Sequence, residues 1–172
     1  MLYDRSEKAR SKPLYTAEQR KRRDASRWTL VQGVLAPFQF VVFLTSLVLV
    51  VRFLITNDGE DLANASVVVK TLTLYTIMIT GAVWEKVVFG RYLFAEAFFW
   101  EDVFSMLVLA MHTAYLAALG FNLLAPRSLM FLALAAYAAY VVNAAQFLLK
   151  LRAARLQAEQ GAVVSAGMEA SR

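Results

Sequence analysis

Residues 66–120 read SVVVKTLTLYTIMITGAVWEKVVFGRYLFAEAFFWEDVFSMLVLAMHTAYLAALG. Two apolar stretches, about 66–89 and 97–120, are separated here by the short mixed segment 90–96. Each stretch has about the 20 residues that a helix needs to cross a bilayer. Because the connection is short, the two helices must return side by side. We therefore predict a pair of antiparallel transmembrane helices at the centre of the fold.

Two further apolar stretches flank this pair, at about 29–55 and 128–150. Hydrophobic residues make up 59% of the 172-residue chain, against roughly 45–50% in an average soluble domain. The separators 57–65 and 121–127 contain turn-forming residues. The sequence therefore predicts an all-α integral membrane protein whose domain 29–151 is an antiparallel bundle of four transmembrane helices.

The basic residues predict the orientation of this bundle. Fifteen of the 18 Lys and Arg residues fall in the N-terminal segment 1–28, between 86 and 91, or from 150 onward. Basic residues accumulate on the cytoplasmic side of membrane proteins. Both termini are therefore expected in the cytoplasm, with 152–172 as a partly disordered tail.

Segment 1–28 contains a capping-box pattern, Thr16 followed by Gln19, that predicts a short amphipathic helix. The basic run Arg20–Arg23 would then lie beside anionic lipid headgroups. Docking of a partner protein is the alternative interpretation, and nucleic-acid binding is not expected.

The composition limits the chemistry that the chain can perform. It contains no Cys and a single His, which excludes thiol nucleophiles, iron–sulfur clusters and multi-histidine metal sites. No metal site is predicted. Catalysis would have to rely on carboxylates, hydroxyls and amides.

Three carboxylates lie at the facing ends of the two central helices, namely Glu85, Glu101 and Asp102. An ionisable side chain costs about 2.5–3.5 kcal/mol within a membrane, so each needs a physical reason. One interpretation pairs these acids with Lys86 and Arg91 at the headgroup level. In the other, like charges held together cannot all ionise, which leaves an acid beside a base. The residues alone leave both interpretations open.

Other ionisable groups occur within the predicted spans. Lys70 and Arg52 lie near the outer ends of their helices, so both are expected to extend to the interface. His112 is about 16 Å from Glu101 along the helix, at 1.5 Å per residue. It could ligate the metal of a tetrapyrrole or form a hydrogen bond to another helix.

Amides and small residues mark the first and fourth predicted helices. Gln32 and Gln39 share one helix face, which could face a bound ligand. Asn143 most simply forms an interhelical hydrogen bond, and small residues such as Ala133 and Ala136 predict close helix packing.

Three segments of the chain resemble a known family. They are LYTAEQRKRRDASRWTLVQGVLAPFQF (14–40), GAVWEKVVFGRYLFAEAFFWEDVFSMLVLAMHTAYL (81–116) and YVVNAAQFLLKLRAARL (140–156). They are similar to the 3-vinyl (formerly 2-vinyl) bacteriochlorophyllide hydratases, small membrane enzymes of bacteriochlorophyll synthesis in photosynthetic bacteria. The resemblance implies a hydro-lyase that hydrates the 3-vinyl group of chlorophyllide a, or of a related (bacterio)chlorophyllide, to a 3-(1-hydroxyethyl) group.

The resemblance also implies that no cofactor is needed, since the magnesium is carried by the chlorophyllide substrate. Expected partners are the substrate, water and membrane lipid, together with a second copy of the chain or other pigment-biosynthesis enzymes. The expected location is the bacterial inner membrane, either cytoplasmic or intracytoplasmic and photosynthetic. A noncatalytic pigment-binding or assembly protein of the photosynthetic membrane is the alternative.

Hydration of a vinyl group needs a proton donor and a group that activates water. Under the resemblance, Glu85 and Glu101 are expected to form the acid–base pair, and either of them could be the proton donor. Asp102 is the third catalytic candidate. The residues expected to bind the substrate are Trp84, Arg91, Phe98, Phe99, Trp100, His112, Gln39 and Asn143. The stereochemistry, the ring reduction level and 8-substituent of the substrate, and the oligomeric state are left open.

Overall fold

The computed structural model describes residues 14–170, with side chains described as far as Leu156. Within that part of the chain there are five helices, α1 (Ala17–Ala25), α2 (Arg27–Thr56), α3 (Glu60–Phe89), α4 (Phe99–Gly120) and α5 (Pro126–Ala170). Four of them are long and apolar enough to cross a membrane: α2, α3, α4 and the Pro126–Leu156 part of α5. The predicted all-α class is confirmed, and so are four long apolar candidate spans, as expected of a multi-pass membrane protein.

The short helix α1 begins as the capping-box pattern predicts. The backbone N–H of Gln19 donates to Thr16 Oγ1 at 3.2 Å, and the backbone N–H of Thr16 donates to Gln19 Oε1 at 2.9 Å. Two otherwise unpaired donors at the start of the helix are thereby satisfied. Residues 1–13 of the predicted basic segment lie outside the described part of the chain.

Helix α3 begins six residues earlier than predicted, at Glu60 instead of about residue 66. Gly59 precedes it in a left-handed conformation with φ of 82°, and Glu60 and Asp61 occupy the first turn. Acidic side chains are favourable there because the N-terminus of a helix carries a partial positive charge. The acidic stretch that was read as a loop is therefore mostly helix.

Helix α5 continues to Ala170. The sequence predicted one or two further helical turns after Leu151 and a loss of structure through Gly161, Ser165 and Gly167. The segment 151–160 consists mainly of Leu, Arg, Ala, Gln and Glu, which are strong helix formers. Gly161 and Gly167 each disfavour a helix by only about 1 kcal/mol.

The bundle has an apolar core that is crossed by interhelical hydrogen bonds, and its outer faces are also apolar. Helix α2 packs mainly against α3, and α4 packs mainly against α5. Interhelical hydrogen bonds lie in the interior, including Ser46 Oγ to Tyr137 Oη at 2.5 Å and Tyr115 Oη to Asn64 Oδ1 at 2.6 Å. The outer faces expose large apolar side chains, among them Leu30, Val34, Val48, Ile55, Leu72, Ile79, Leu107, Phe131, Val142 and Leu149. Such a surface suits contact with lipid.

We expect a small side chain to be essential where α5 meets the other helices. Ala133 is fully buried, whereas Ala135, on the same helix, is exposed. Ala133→Leu should lower the free energy of unfolding in mixed micelles by about 1–3 kcal/mol, the usual effect of overpacking. Ala135→Leu, which faces outward, should leave it unchanged. Equal effects of the two substitutions would contradict this packing.

Candidate functional site

The candidate site lies where α3 ends and α4 begins. Gly90 ends α3 with a φ of 84°, and its N–H donates to the carbonyl of Lys86 at 3.0 Å. Glycine adopts this left-handed conformation without strain. Phe94 is also left-handed, with φ of 58°, which is uncommon for a residue other than glycine. The connection 90–98 thereby turns two consecutive backbone N–H groups toward the carboxyl groups of the neighbouring helices.

Glu85 and Asp102 form a buried pair between α3 and α4. Asp102 Oδ2 accepts from the N–H of Phe94 at 2.7 Å, and Glu85 Oε2 accepts from the N–H of Ala95 at 3.3 Å. The two carboxyl groups also interact directly with each other. Their residues are 5% and 3% exposed, respectively. Two carboxyl groups so placed favour holding one proton between them, because two full negative charges would repel.

Glu101 lies beside this pair but has a different partner. Its Oε2 accepts from Lys150 Nζ of α5 at 2.6 Å, and the carboxylate is only 11% exposed. Lys150 also lies over the ring of Phe98, 5.1 Å from its centre. The three predicted carboxylates are therefore brought together, with Asp102 rather than Glu101 against Glu85.

Lys150 is a site residue that sequence reasoning missed, because it was used only to orient the bundle. A signal was present. Lys150 lies four residues after Gln146 and seven after Asn143, so these polar side chains share one face of α5.

The aromatic residues that were predicted to bind the substrate fall into two groups, one buried and one exposed. Phe98 is 2% exposed and packs with Trp84 and Phe147 in a buried aromatic cluster. Trp84 Nε1 donates to Thr29 Oγ1 at 3.0 Å. In contrast, Phe99 and Trp100 project outward, and Trp100 is 67% exposed. Only the second group presents an aromatic surface to the surroundings.

Two basic residues form the rim of the candidate site: Lys86, in the last turn of α3, and Arg91, in the connection 90–98. Arg91 is exposed. Lys86 Nζ donates to the carbonyl of Gly90 at 3.0 Å and lies 5.2 Å from the ring centre of Tyr92. Among the described residues, neither Lys86 nor Arg91 forms an ion pair with Glu85, Glu101 or Asp102. That geometry disfavours the interpretation in which these acids merely pair with Lys86 and Arg91.

The other predicted substrate-binding residues lie deep in the bundle. His112 is fully buried, with Nδ1 2.8 Å from the carbonyl of Val108. Asn143 Nδ2 donates to Ser105 Oγ at 2.8 Å. Gln39 is buried beside Tyr140. These three polar residues are buried, whereas Phe99 and Trp100 are exposed.

The prediction that Lys70 extends to the interface is wrong. Its residue is 0% exposed, and Nζ lies 3.9 Å from the ring centre of Tyr140. The error follows from the early start of α3: Lys70 lies about 15 Å along the helix instead of about 6 Å, at 1.5 Å per residue. Arg52, by contrast, is exposed and lies 3.4 Å from Asp58.

Tyr15 holds the start of the described chain against this end of the bundle. Its ring stacks on Phe89 with centroids 5.7 Å apart, and Arg23 lies 4.7 Å from the ring centre. Burial raises the pKa of the Tyr15 hydroxyl. No pattern in the sequence distinguished Tyr15 in advance.

Two surface depressions of about 510 and 310 Å³ lie beside α1 and between α2 and α3. Neither is lined by Glu85, Glu101 or Asp102. In the described part of the chain, no three His, Cys, Asp or Glu side chains are grouped to hold a metal ion.

Comparisons with known proteins identify relatives over most of the chain. A protein of Rhodobacter capsulatus named 2-vinyl bacteriochlorophyllide hydratase is 67% identical over 147 residues, which cover 86% of this chain and 85% of that protein. A protein of the same name from Cereibacter sphaeroides is 65% identical over 147 residues, which cover 85% of this chain and 91% of that protein. No solved structure matches. The family model described as 2-vinyl bacteriochlorophyllide hydratase matches residues 15–153, and the chain therefore belongs to this family.

Proposed function

We propose that the protein hydrates the 3-vinyl (formerly 2-vinyl) group of chlorophyllide a, or of a related (bacterio)chlorophyllide, to a 3-(1-hydroxyethyl) group in bacteriochlorophyll synthesis. Membership of the hydratase family supports this activity. The observation that carries the mechanism is the buried Glu85–Asp102 pair, which is flanked by the Glu101–Lys150 ion pair.

The chemistry adds the elements of water across one carbon–carbon double bond. A carboxyl group donates a proton to the terminal vinyl carbon, and the adjacent carbon becomes a cation that the macrocycle delocalises. Water attacks this carbon, and a carboxylate accepts the proton that the water loses. The proton given at the first step is regained at the last, so the protein ends unchanged.

The Glu85–Asp102 pair suits this proton exchange better than the Glu85–Glu101 pair expected from the sequence. One shared proton supplies an acid and a base at the same place. Glu101, held next to Lys150, contributes a fixed negative charge that stabilises the cationic intermediate.

The substrate ring is proposed to lie on the exposed aromatic surface formed by Phe99 and Trp100. Its propionate faces Arg91 at the rim. Glu101 and Asp102 directly follow Trp100 in α4, which places their carboxyl groups next to this surface. Substrate contacts by Trp84, Phe98, Gln39, His112 and Asn143 stay predictions, as does ligation of the substrate magnesium by His112. At Gln39, His112 and Asn143, direct contact with the substrate and bound internal water are alternatives that exclude each other. No cofactor of the protein itself takes part.

The spans run antiparallel, with both termini and the 90–98 connection in the cytoplasm, in the bacterial inner membrane. The concentration of Lys and Arg at this end supports the orientation. The acidic first turn of α3 then lies outside the cytoplasm. Association with a second copy or with other pigment-biosynthesis enzymes stays a prediction.

We expect Glu85→Gln and Asp102→Asn each to lower turnover at least about 100-fold, the lower end of the loss expected when acid–base assistance is removed. Glu101→Gln should also lower it at least about 100-fold, because it removes a charge that stabilises the cationic intermediate. The measurement is conversion of chlorophyllide a, in membranes containing each variant, to a product heavier by one water. Asp61→Asn, an exposed acid at the far end of α3, is the control and should be near normal.

Near-normal turnover in any of these three variants would remove that residue from the mechanism. Pigment binding without turnover by the unmodified protein, at every pH tested, would favour the noncatalytic pigment-binding alternative instead.

Lys150 should matter through its charge. Lys150→Met leaves Glu101 buried without a counter-charge, and we expect at least about a tenfold loss of kcat, equivalent to one charge-assisted hydrogen bond. Lys150→Arg keeps the charge and should retain most of the activity. Arg152→Met changes an exposed residue on the same helix and should have no effect. Equal losses in Lys150→Met and Lys150→Arg would contradict the role of the charge.

Arg91 should recognise the propionate. Arg91→Ala is expected to raise KM about fivefold, the equivalent of one exposed ion pair, without changing kcat. With the methyl ester of the same substrate, which lacks the negative charge, the substitution should have no effect. Arg127→Ala, at the opposite end of the bundle, is the control. A rise in KM that is equal for acid and ester would rule out this contact.

A further inference from the structure

Five buried polar atoms in the bundle interior have no hydrogen-bond partner among the described residues. They are Gln39 Oε1, Lys70 Nζ, His112 Nε2, Asn143 Oδ1 and Gln146 Oε1. Leaving a buried polar group unsatisfied costs about 1–3 kcal/mol. Proteins commonly satisfy such groups with ordered internal water. Five of them within one small bundle therefore point to bound molecules.

Three of these atoms belong to residues that meet around one pair of tyrosines. Lys70 Nζ lies 3.9 Å from the ring centre of Tyr140, and the side chain of Gln39 interacts with the same tyrosine. The ring centres of His112 and Tyr137 are 5.9 Å apart. His112 is also close enough to Lys70 for the two side chains to interact electrostatically. The three residues come from α2, α3 and α4.

The hydrogen-bonding capacity of these atoms identifies the ligand class. Lys70 can only donate. His112 Nδ1 faces a carbonyl, which can only accept, so Nδ1 carries the proton and Nε2 is an acceptor. Gln39 Oε1 is also an acceptor. An anion would be repelled by the two acceptors, and a metal cation would find only two ligands, whereas water can accept from Lys70 and donate to both acceptors.

The remaining two atoms extend this polar interior toward the catalytic carboxyl groups. Tyr140, Asn143, Gln146 and Lys150 follow one another on α5 at intervals of three or four residues, or about 4.5–6 Å. Asn143 is bonded to Ser105, which lies one turn from Glu101 on α4. Each interval can be bridged by one or two water molecules.

We infer that the bundle interior holds a row of ordered water molecules from Lys70, His112 and Gln39 to the carboxyl cluster, and that this row delivers the water that the reaction consumes. The delivery role rests on the proposed hydratase function, whereas the presence of the water does not. Lys70 is a positioning residue that acts through the first of these water molecules.

The presence of the water can be tested by X-ray radiolytic labelling in ¹⁸O-water, which modifies side chains next to bound water even when they are buried. His112 and Tyr115 are both 0% exposed, but the Tyr115 hydroxyl is bonded to Asn64. With each rate normalised to that in the denatured chain, we expect strong ¹⁸O labelling of His112 and little of Tyr115. Labelling of His112 no stronger than that of Tyr115 would overturn the proposal.

Substitutions make the test specific. Lys70→Met and Gln39→Leu should each reduce the labelling of His112 toward that of Tyr115. Thr71→Val is the matched control, because Thr71 is fully buried beside Lys70 in the sequence but bonds to Val67 of its own helix. Unchanged labelling of His112 in both Lys70→Met and Gln39→Leu would overturn the assignment of Lys70 and Gln39 as residues that hold the water. If one variant fails to fold, labelling of the unmodified protein still tests whether the water is present.

The delivery role has a separate readout. Lys70→Met should lower kcat about tenfold, the equivalent of one lost hydrogen bond, with KM and the absorption spectrum of the bound chlorophyllide unchanged. A shift of that spectrum in Lys70→Met would mean direct contact with the pigment and would contradict a role through water. If the unmodified protein hydrates no chlorophyllide, the proposed function fails while the labelling still decides whether the water is present.

Discussion

Carboxyl groups buried in a helical membrane bundle must be stabilised from within, because the surrounding lipid offers neither hydrogen bonds nor counter-ions. Here the stabilising groups are two backbone N–H groups, at Phe94 and Ala95, and the ammonium group of Lys150. Both N–H groups belong to the connection 90–98, which contains two left-handed residues, Gly90 and Phe94. The candidate site therefore depends on the conformation of this connection.

The same constraint accounts for the distribution of residues over the whole bundle. Large apolar side chains face outward, where lipid can cover them, whereas hydroxyl, amide and imidazole groups lie inside, among a larger number of buried apolar side chains. A hydratase acting on a membrane pigment needs both environments, an apolar one for the macrocycle and a polar one for water. The exposed aromatic surface of Phe99 and Trp100 meets the polar interior at the start of α4. The proposed reaction is assigned to that boundary.

The sequence was sufficient to predict the four spans, the capping box of α1 and the meeting of the three carboxylates, since these depend on hydropathy, local spacing and a short connection. The family was predicted from the resemblance of three segments to known sequences. The sequence could not predict which acid faces Glu85. Glu101 and Asp102 project about 100° apart, so the choice depends on where the N–H groups of Phe94 and Ala95 point. Nor could it pair Lys150 with Glu101, because that contact requires α4 and α5 to lie side by side.

The depth of Lys70 was predicted wrongly because the acidic residues before Ser66 were read as a loop. Those residues instead form the first turns of α3, which moves Lys70 away from the interface and into the core. A small error in a helix boundary thus concealed a fully buried cation. In membrane helices, the position of a charged residue is only as reliable as the helix start from which it is counted.

The most direct test is infrared spectroscopy of the carbonyl stretch of protonated carboxyl groups, in membranes at neutral pH. A proton held between Glu85 and Asp102 predicts one such band, which should disappear in both Glu85→Gln and Asp102→Asn and persist in Asp61→Asn. No band in the unmodified protein, or a band that survives both substitutions, would contradict a carboxyl pair that exchanges a proton with the vinyl group.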